Sequence, residues 1–139
     1  MIYDKTTIPK SYDNGRYLPL ETMQIWLEAI GNHIPKDKVN IILDVGCGTG
    51  RFSIPLSNYF NSKLIGIDPS KNMLTIAKLN QKVDKVKFYE GEAHKINIEN
   101  EKIDLIFMSM VYHHIKDIEL AIIEFNRVLK PGGYLCGHE

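Results

Sequence analysis

The sequence is poor in cysteine, has no long apolar run and carries no excess of charge of either sign. Its two cysteines, Cys47 and Cys136, cannot form a disulfide framework, and neither has a metal-ligand neighbour at useful spacing, so we predict no metal site. No apolar stretch approaches the ~20 residues of a membrane-spanning helix, and no apolar run of the signal-peptide type follows the first residues. These absences predict a cytoplasmic protein with reduced thiols and no membrane partner.

Charge is balanced, because 17 basic and 17 acidic residues cancel. This balance argues against a broad nucleic-acid-binding surface. A length of 139 residues suits one domain, and an apolar fraction of 44% with a charged fraction of 24% is ordinary for a globular protein. We therefore predict a single domain, residues 1–139, with no nucleic-acid partner.

Short apolar segments alternate with segments of helical spacing along most of the chain. Such alternation indicates an α/β fold, with a parallel sheet and helices on both of its faces. Ser70 and Asp117 stand where helix N-caps are expected, Gly31 suits a helix end, and the apolar stripe of residues 118–129 is predicted to be core. Strands are predicted at residues 40–45, 63–68, 86–89 and 103–108, and a fifth strand is predicted to start at 134. Helices are predicted at residues 18–31, from 51–53 to 60, after 70 and at 118–129. Residues 1–17 are predicted to form an N-terminal arm, and residues 92–102 a loop.

The most informative stretch is the glycine loop that follows the first predicted strand, Asp44-Val45-Gly46-Cys47-Gly48-Thr49-Gly50-Arg51. A dinucleotide fingerprint, Gly-x-Gly-x-x-Gly, would need glycine where Arg51 stands, and the Gly-Lys-Ser/Thr of a phosphate-binding P-loop is absent. The glycines instead follow Gly-x-Gly-x-Gly. A carboxylate at Asp44 would repel a pyrophosphate but would favour a cofactor with a cationic group.

Residues 43–51 resemble motif I of the class I S-adenosylmethionine-dependent methyltransferases. The resemblance covers residues 40–136 and implies a Rossmann-like, doubly wound parallel sheet of strand order 3-2-1-4-5. It also implies S-adenosyl-L-methionine as cofactor and S-adenosyl-L-homocysteine as product. Further matching segments follow in the family's order at residues 66–70, 88–93, 104–115 and 129–135.

The resemblance also implies roles for individual residues. Asp44 would help to hold the amino end of the cofactor, and the Asp68 carboxylate would accept from both ribose hydroxyls. Pro69 and Met73 would pack on the adenine, and Glu92, where the family commonly has Asp, would accept from the adenine amino group. The cofactor-binding residues implied in this way are Tyr12, Arg16, Asp44, Gly46, Cys47, Gly48, Thr49, Gly50, Asp68, Pro69, Met73, Glu92, Ala93 and Ser109.

Further residues are candidates for binding the methionine carboxylate and for accepting a proton from the methyl acceptor. Tyr12 and Arg16, in the arm, would reach the methionine carboxylate. Tyr112, His113 and His114 are the candidates for a general base, should the acceptor need one. The reaction would be direct transfer of the methyl group, in which the protein mainly positions the acceptor in a water-poor pocket.

The acceptor and the completeness of the site are the open questions at this level. Family members that methylate the exocyclic amines of bases carry Asn/Asp-Pro-Pro-Tyr where this chain has residues 109–112, so a small-molecule acceptor is favoured. The family sheet normally has seven strands, and strands 6 and 7 are missing here. We therefore expect a shortened or fragmentary methyltransferase whose strand 5 edge could pair with another copy. The alternatives are a cofactor-binding module without turnover and, more distantly, a nicotinamide-dependent oxidoreductase.

Overall fold

The computed structural model describes residues 20–108 and 117–137. Within these residues a single five-stranded sheet is flanked by four α-helices. None of these helices is both long enough and apolar enough to cross a bilayer. The strands are β1 (Ile41–Val45), β2 (Lys63–Asp68), β3 (Val86–Glu90), β4 (Ile103–Met108) and β5 (Leu129–Gly137), and the helices are α1 (Leu20–His33), α2 (Ser53–Phe60), α3 (Lys71–Asn80) and α4 (Ile118–Val128).

All strand pairs are parallel, and the strands lie in the order β3-β2-β1-β4-β5. The central strand β1 pairs with β2 on one side and with β4 on the other, so that Ile42 lies opposite both Leu64 and Leu105. The expected α/β fold and its strand order are therefore confirmed. The order reverses between β1 and β4, which creates the topological switch point where ligands bind in open α/β sheets.

Two hydrophobic clusters cover the two faces of the sheet. On one face, α1, α2 and α3 contribute to a cluster that includes Ile42, Phe52 and Phe88. On the other face, α4 and the 92–102 loop cover Leu43, and Ile96 of this loop is buried there. The central strands are apolar on both sides because successive side chains point to opposite faces and both faces are covered.

Helix α1 runs past the predicted end at Gly31 to His33, so that expectation was wrong. The residue is explained by packing and not by helix termination. A Cβ atom at Gly31 would stand 1.9 Å from the hydroxyl oxygen of Tyr59 in α2, so the glycine leaves the space that the end of the Tyr59 side chain occupies. This contact comes from a residue 28 positions later and leaves no local signal.

The last strand also differs from expectation, since β5 begins at Leu129 and not at Tyr134. Leu129 pairs with Ile103 directly after the end of α4, and the next pair is Leu105 with Tyr134. The intervening residues therefore bulge out of the ladder, and Gly132 has a φ of 80° there. β5 lies at the edge of the sheet, and its self-association stays a prediction.

The predicted apolar stripe of α4 is only partly core. Ala121, Phe125 and Val128 are buried against the sheet. Ile118 and Ile122, which were expected to join them, are exposed, Ile122 at 56%. Ile122 follows Ala121 directly and is therefore turned away from the buried face, whereas Ile118 shares the face of Ala121 and Phe125 but is the first residue of the helix.

Asp104 links the starts of β1, β4 and β5. Its Oδ2 atom accepts from the backbone N–H groups of Asn40 and Ile41, both at 2.9 Å, and its Oδ1 atom lies 3.2 Å from Nζ of Lys130. The carboxylate therefore satisfies two backbone donors at the start of β1 and also contacts Lys130 in the bulge of β5.

Asp104→Ala is expected to lower the free energy of unfolding by about 2 kcal/mol, because two backbone donors lose a charged acceptor. Lys130→Met is expected to cost less than about 1 kcal/mol, because the Lys130 side chain is 40% exposed and its ion pair is screened. Urea unfolding of both variants measures the difference. Equal losses would show that the ion pair, and not the backbone contacts, carries the stability.

Candidate functional site

The glycine loop begins where β1 ends, at the switch point of the sheet. All three glycines have left-handed backbone: φ is 70° at Gly46, 57° at Gly48 and 81° at Gly50. L-residues with a side chain adopt this region only at a cost of about 1 kcal/mol or more. The Gly-x-Gly-x-Gly spacing is therefore a conformational requirement of this turn, and the outer side of Gly48 is open, with no atom within 4 Å of where its Cβ would lie.

The loop is fastened to the end of β2 by a set of short hydrogen bonds. Both Gly46 and Cys47 donate their N–H groups to the carbonyl oxygen of Ile67, at 2.8 and 3.0 Å. Oδ2 of Asp68 accepts from the N–H of Gly48 at 2.9 Å, and Oδ1 accepts from the N–H of Ser70 at 2.8 Å. Asp68 is only 3% exposed. The structure therefore brings Asp68 directly under the glycine loop and gives it a role in holding that loop.

Asp44 lies below the loop and is wholly buried. Its Oδ2 atom accepts a 2.7 Å hydrogen bond from the hydroxyl of Ser53, in the first turn of α2. Ser53 was not singled out from the sequence. Its signal is its place three residues after Gly50, where a hydroxyl in the first turn of a helix can reach back to the preceding strand.

Cys47 is buried under the same loop, and its sulfur packs near Gly66 of β2. Burial raises the pKa of the Cys47 thiol far above its usual range, and the nearby carboxylates of Asp44 and Asp68 raise it further. The thiol is therefore protonated at neutral pH and cannot act as a nucleophile. The side chain therefore acts here as a small filler residue under the loop.

A second group of predicted residues lies at the ends of β2 and β3. Ser70 caps α3 by accepting from the N–H of Met73 at 3.3 Å, as expected from the sequence. Pro69 and Met73 are exposed, and Met73 keeps 44% of its surface accessible. Such an apolar side chain beside the loop is free to cover a planar ring.

Glu92 and Ala93 follow β3 after one residue, Gly91. Oε2 of Glu92 lies 3.1 Å from Nε2 of His94, and both side chains keep access to solvent. Ala93 is half-buried and packs against the cluster below α4. His94 was not singled out from the sequence as a partner of Glu92.

Six predicted residues lie outside the described part of the chain. They belong to the N-terminal arm and to the segment after β4. They are Tyr12, Arg16, Ser109, Tyr112, His113 and His114.

Comparisons with known proteins agree with this geometry. A family model described as a methyltransferase domain matches residues 43–137, from β1 through β5. The chain belongs to the methyltransferase-domain family. The family expected from the sequence is therefore confirmed, and with it S-adenosylmethionine as the cofactor of the family.

Individual proteins of the family match most of this chain. Demethylmenaquinone methyltransferase of Staphylococcus aureus is 33% identical over 130 residues, which cover 91% of this chain and 54% of the relative. A solved structure from Methanococcus maripaludis, assigned to the S-adenosylmethionine-dependent methyltransferases, has a TM-score of 0.73 at 30% identity and is matched over 85% of this chain and 56% of its own. An S-adenosylmethionine-dependent methyltransferase of Mesorhizobium loti, at 24% identity, shares the fold with a TM-score of 0.68 over 79% of this chain and 50% of its own. The chain spans about half the length of the curated relatives that it matches.

Proposed function

We propose that this chain binds S-adenosylmethionine and serves in the transfer of its methyl group to a small-molecule acceptor. The observation that carries the proposal is the left-handed glycine loop at the switch point, held by the buried Asp68 carboxylate. A glycine turn without Cβ atoms lets a ligand approach the backbone closely. An acidic group under that turn suits a cofactor with hydroxyl and cationic groups better than one with a pyrophosphate.

In this proposal the chain's own groups bind and orient the cofactor. The loop from Gly46 to Gly50, with Cys47 and Thr49 between the glycines, would face the methionine and ribose parts. Asp68 would accept from the ribose hydroxyls with the lone pairs not used by Gly48 and Ser70. Pro69 and Met73 would cover the adenine, and Glu92 and the Ala93 N–H would contact its polar edge.

Asp44 is proposed to act differently from the direct contact expected from the resemblance. Because its carboxylate is wholly buried and accepts from Ser53, it would orient the start of α2 and the loop above it. Its charge would still favour a cation above the loop, since a buried carboxylate is poorly screened.

The cofactor supplies an electrophilic methyl group on a sulfonium. The protein's contribution is therefore to orient the acceptor and to exclude water. Tyr12 and Arg16 stay candidates for holding the methionine carboxylate, and Tyr112, His113 and His114 for taking a proton from the acceptor. Ser109 stays a candidate for cofactor contact.

Two observations favour a small-molecule acceptor. The chain has no net charge, whereas proteins that bind nucleic acid carry basic surfaces. The Staphylococcus aureus relative is named for the methylation of demethylmenaquinone, a small molecule. A cofactor-binding module without turnover is the second candidate, and the turnover measurement below distinguishes it from an enzyme.

Calorimetry with S-adenosylhomocysteine tests the binding claim, with NAD as the matched comparison ligand. We expect saturable binding of S-adenosylhomocysteine and none of NAD. Binding of NAD alone would replace the proposal by an oxidoreductase.

Turnover requires a separate measurement. The chain is incubated with S-adenosylmethionine labelled in the methyl group and with a panel of small hydroxylated aromatic, thiol and amine acceptors. Label transferred to one class establishes the enzyme. Binding without transfer across the panel favours the module.

A further inference from the structure

The connection between β3 and β4 has an unusual demand for hydrogen-bond partners. It starts at the β3 edge of the sheet and crosses the face of β2 and β1 to reach β4. Such crossovers between parallel strands are usually helical, so that their backbone groups pair internally. Here residues 92–102 form no helix, and the isolated bridge of Glu92 with Lys95 is short. The backbone groups of this loop that are buried against the sheet must therefore find partners elsewhere.

Arg127 of α4 supplies partners to two of the loop's carbonyl groups, and all five of its N–H donors are used. Nη1 donates to the carbonyl oxygen of Ile98 at 2.8 Å and to Oδ1 of Asn100 at 2.9 Å. Nη2 donates to the carbonyl oxygen of Ile96 at 2.8 Å and to Oε2 of Glu124 at 3.0 Å, and Nε donates to Oε1 of Glu124 at 2.7 Å. A planar guanidinium is the side chain that can serve three loop positions and a carboxylate at once.

Glu124 completes the arrangement from one helical turn earlier. Its Oε2 atom also accepts from the N–H of Ile96 at 2.7 Å, so Ile96 is held through both its N–H and its carbonyl. The hydrogen bond from Arg127 is the main cause that holds the pKa of Glu124 below its usual value, which keeps the carboxylate ionised at neutral pH.

The anchored loop is the one that begins with Glu92 and Ala93. Gly91, which precedes the loop, donates its N–H to the carbonyl oxygen of Asp68 at 3.2 Å, so this end is fixed to the glycine-loop side of the site. Its middle, Ile96, is buried beside Ala93 in the cluster below α4. Glu92 and Ala93 are therefore held between two anchors. The first is the hydrogen bond of Gly91 to Asp68, and the second is the set of hydrogen bonds that join Arg127 and Glu124 to Ile96.

We propose that Arg127, oriented by Glu124, is a positioning residue that sets the selectivity of this methyltransferase domain for the adenine ring. The proposal rests on the proposed function and extends it to two residues of α4 that hold the 92–102 loop. Arg127 does not touch the cofactor. It acts by fixing where Glu92 presents its carboxylate and where Ala93 presents its N–H.

The test compares S-adenosylhomocysteine with S-inosylhomocysteine, which lacks the adenine amino group. The unaltered chain is expected to prefer the first by about tenfold or more, because one hydrogen bond to a charged acceptor is lost with the second. Arg127→Lys keeps the charge but removes the planar fork, and it is expected to reduce this preference to near unity. Glu124→Gln is the second variant, should Arg127→Lys fail to fold.

Val39→Ala is the matched control, since it removes a buried side chain on the opposite face of the sheet. It should lower the melting temperature while leaving the preference unchanged. Backbone amide exchange should accelerate at residues 92–102 in Arg127→Lys and not in the control. A retained preference in Arg127→Lys, with S-adenosylhomocysteine still bound, would overturn the inference and leave the proposed function intact. Failure of the unaltered chain to bind S-adenosylhomocysteine would overturn the proposed function itself.

Discussion

Asp68→Ala is expected to weaken the binding of S-adenosylhomocysteine by at least about a hundredfold. The carboxylate holds Gly48 through Oδ2 and Ser70 through Oδ1, so its removal releases the glycine loop and the start of α3 together. Each hydrogen bond to a charged group contributes about 1.5–3 kcal/mol, and two such losses correspond to at least two decades in affinity. Direct contacts from Asp68 to the ribose would add to this loss.

Glu90→Gln is the matched control, because Glu90 is the partner of Asp68 in the β2–β3 register. Its carboxylate is exposed, and its ion pair with Lys71 is 4.0 Å long. The affinity should therefore stay unchanged in this variant. Circular dichroism would check that both variants fold, and calorimetry would give the affinities. Equal weakening in both would mean that general charge, and not the site, determines binding.

Asp68→Asn separates the two roles of the carboxylate. The amide keeps one acceptor oxygen, so one of the two loop contacts can persist while its NH₂ group faces the other backbone donor. An affinity between those of the unaltered chain and Asp68→Ala is expected. An unchanged affinity would show that the negative charge of Asp68 is dispensable.

The regular elements that depend on neighbours in sequence were predictable. The prediction for β2 is confirmed at both ends, because turn-forming residues, Asn61-Ser62 and Pro69-Ser70, stand on both sides of the apolar run and mark where the strand begins and ends. The caps are confirmed for the same reason: Ser70 accepts from Met73, and Asp117 accepts from the N–H of Leu120 at 3.2 Å. Turn chemistry and capping act over three or four residues, which a sequence pattern shows directly.

The missed features depend on contacts between distant residues. Arg127 meets Ile96 across 31 positions, and Asp104 meets Asn40 across 64. No periodicity within a helix or strand reports such a pair. The same holds for Gly31, which looks like a helix end by composition and is a close-packing position against Tyr59. The glycine loop was found because its constraint is local, whereas the contacts of Arg127 with residues 96–100 join distant parts of the sequence.

Gly50→Ala is expected to be the most destabilising of the loop substitutions, with a loss of about 3–4 kcal/mol. Gly50 combines a φ of 81° with a Phe88 ring atom 2.8 Å from the position of its Cβ. The left-handed backbone costs about 1–2 kcal/mol for an L-residue, and overpacking costs about 1–3 kcal/mol. Gly48→Ala shares the left-handed backbone but meets no atom within 4 Å, so it should lose only about 1 kcal/mol.

Phe88 connects this loop to β2, because its ring also fills the space beside Gly66. A Cβ at Gly66 would lie 2.7 Å from the ring, although Gly66 is in ordinary strand conformation. Gly66→Ala should therefore lose about 2 kcal/mol by overpacking alone. Urea unfolding of the single variants and of the same substitutions in a Phe88→Leu background forms a double-mutant cycle.

The background is expected to act differently on the two glycines. Leucine removes the ε and ζ ring carbons that face Gly50 but keeps δ-carbons, and Gly66 faces a δ-carbon of Phe88 at 2.7 Å, so the cost of Gly66→Ala should fall only in part in Phe88→Leu. The cost of Gly50→Ala should fall only to the value of Gly48→Ala, because the left-handed backbone is unchanged by the partner. A full rescue of Gly50→Ala would show that the φ of 81° is not required by the loop. No rescue of Gly66→Ala would show that its cost arises elsewhere, with the sulfur of Cys47, at 3.1 Å, as the remaining neighbour.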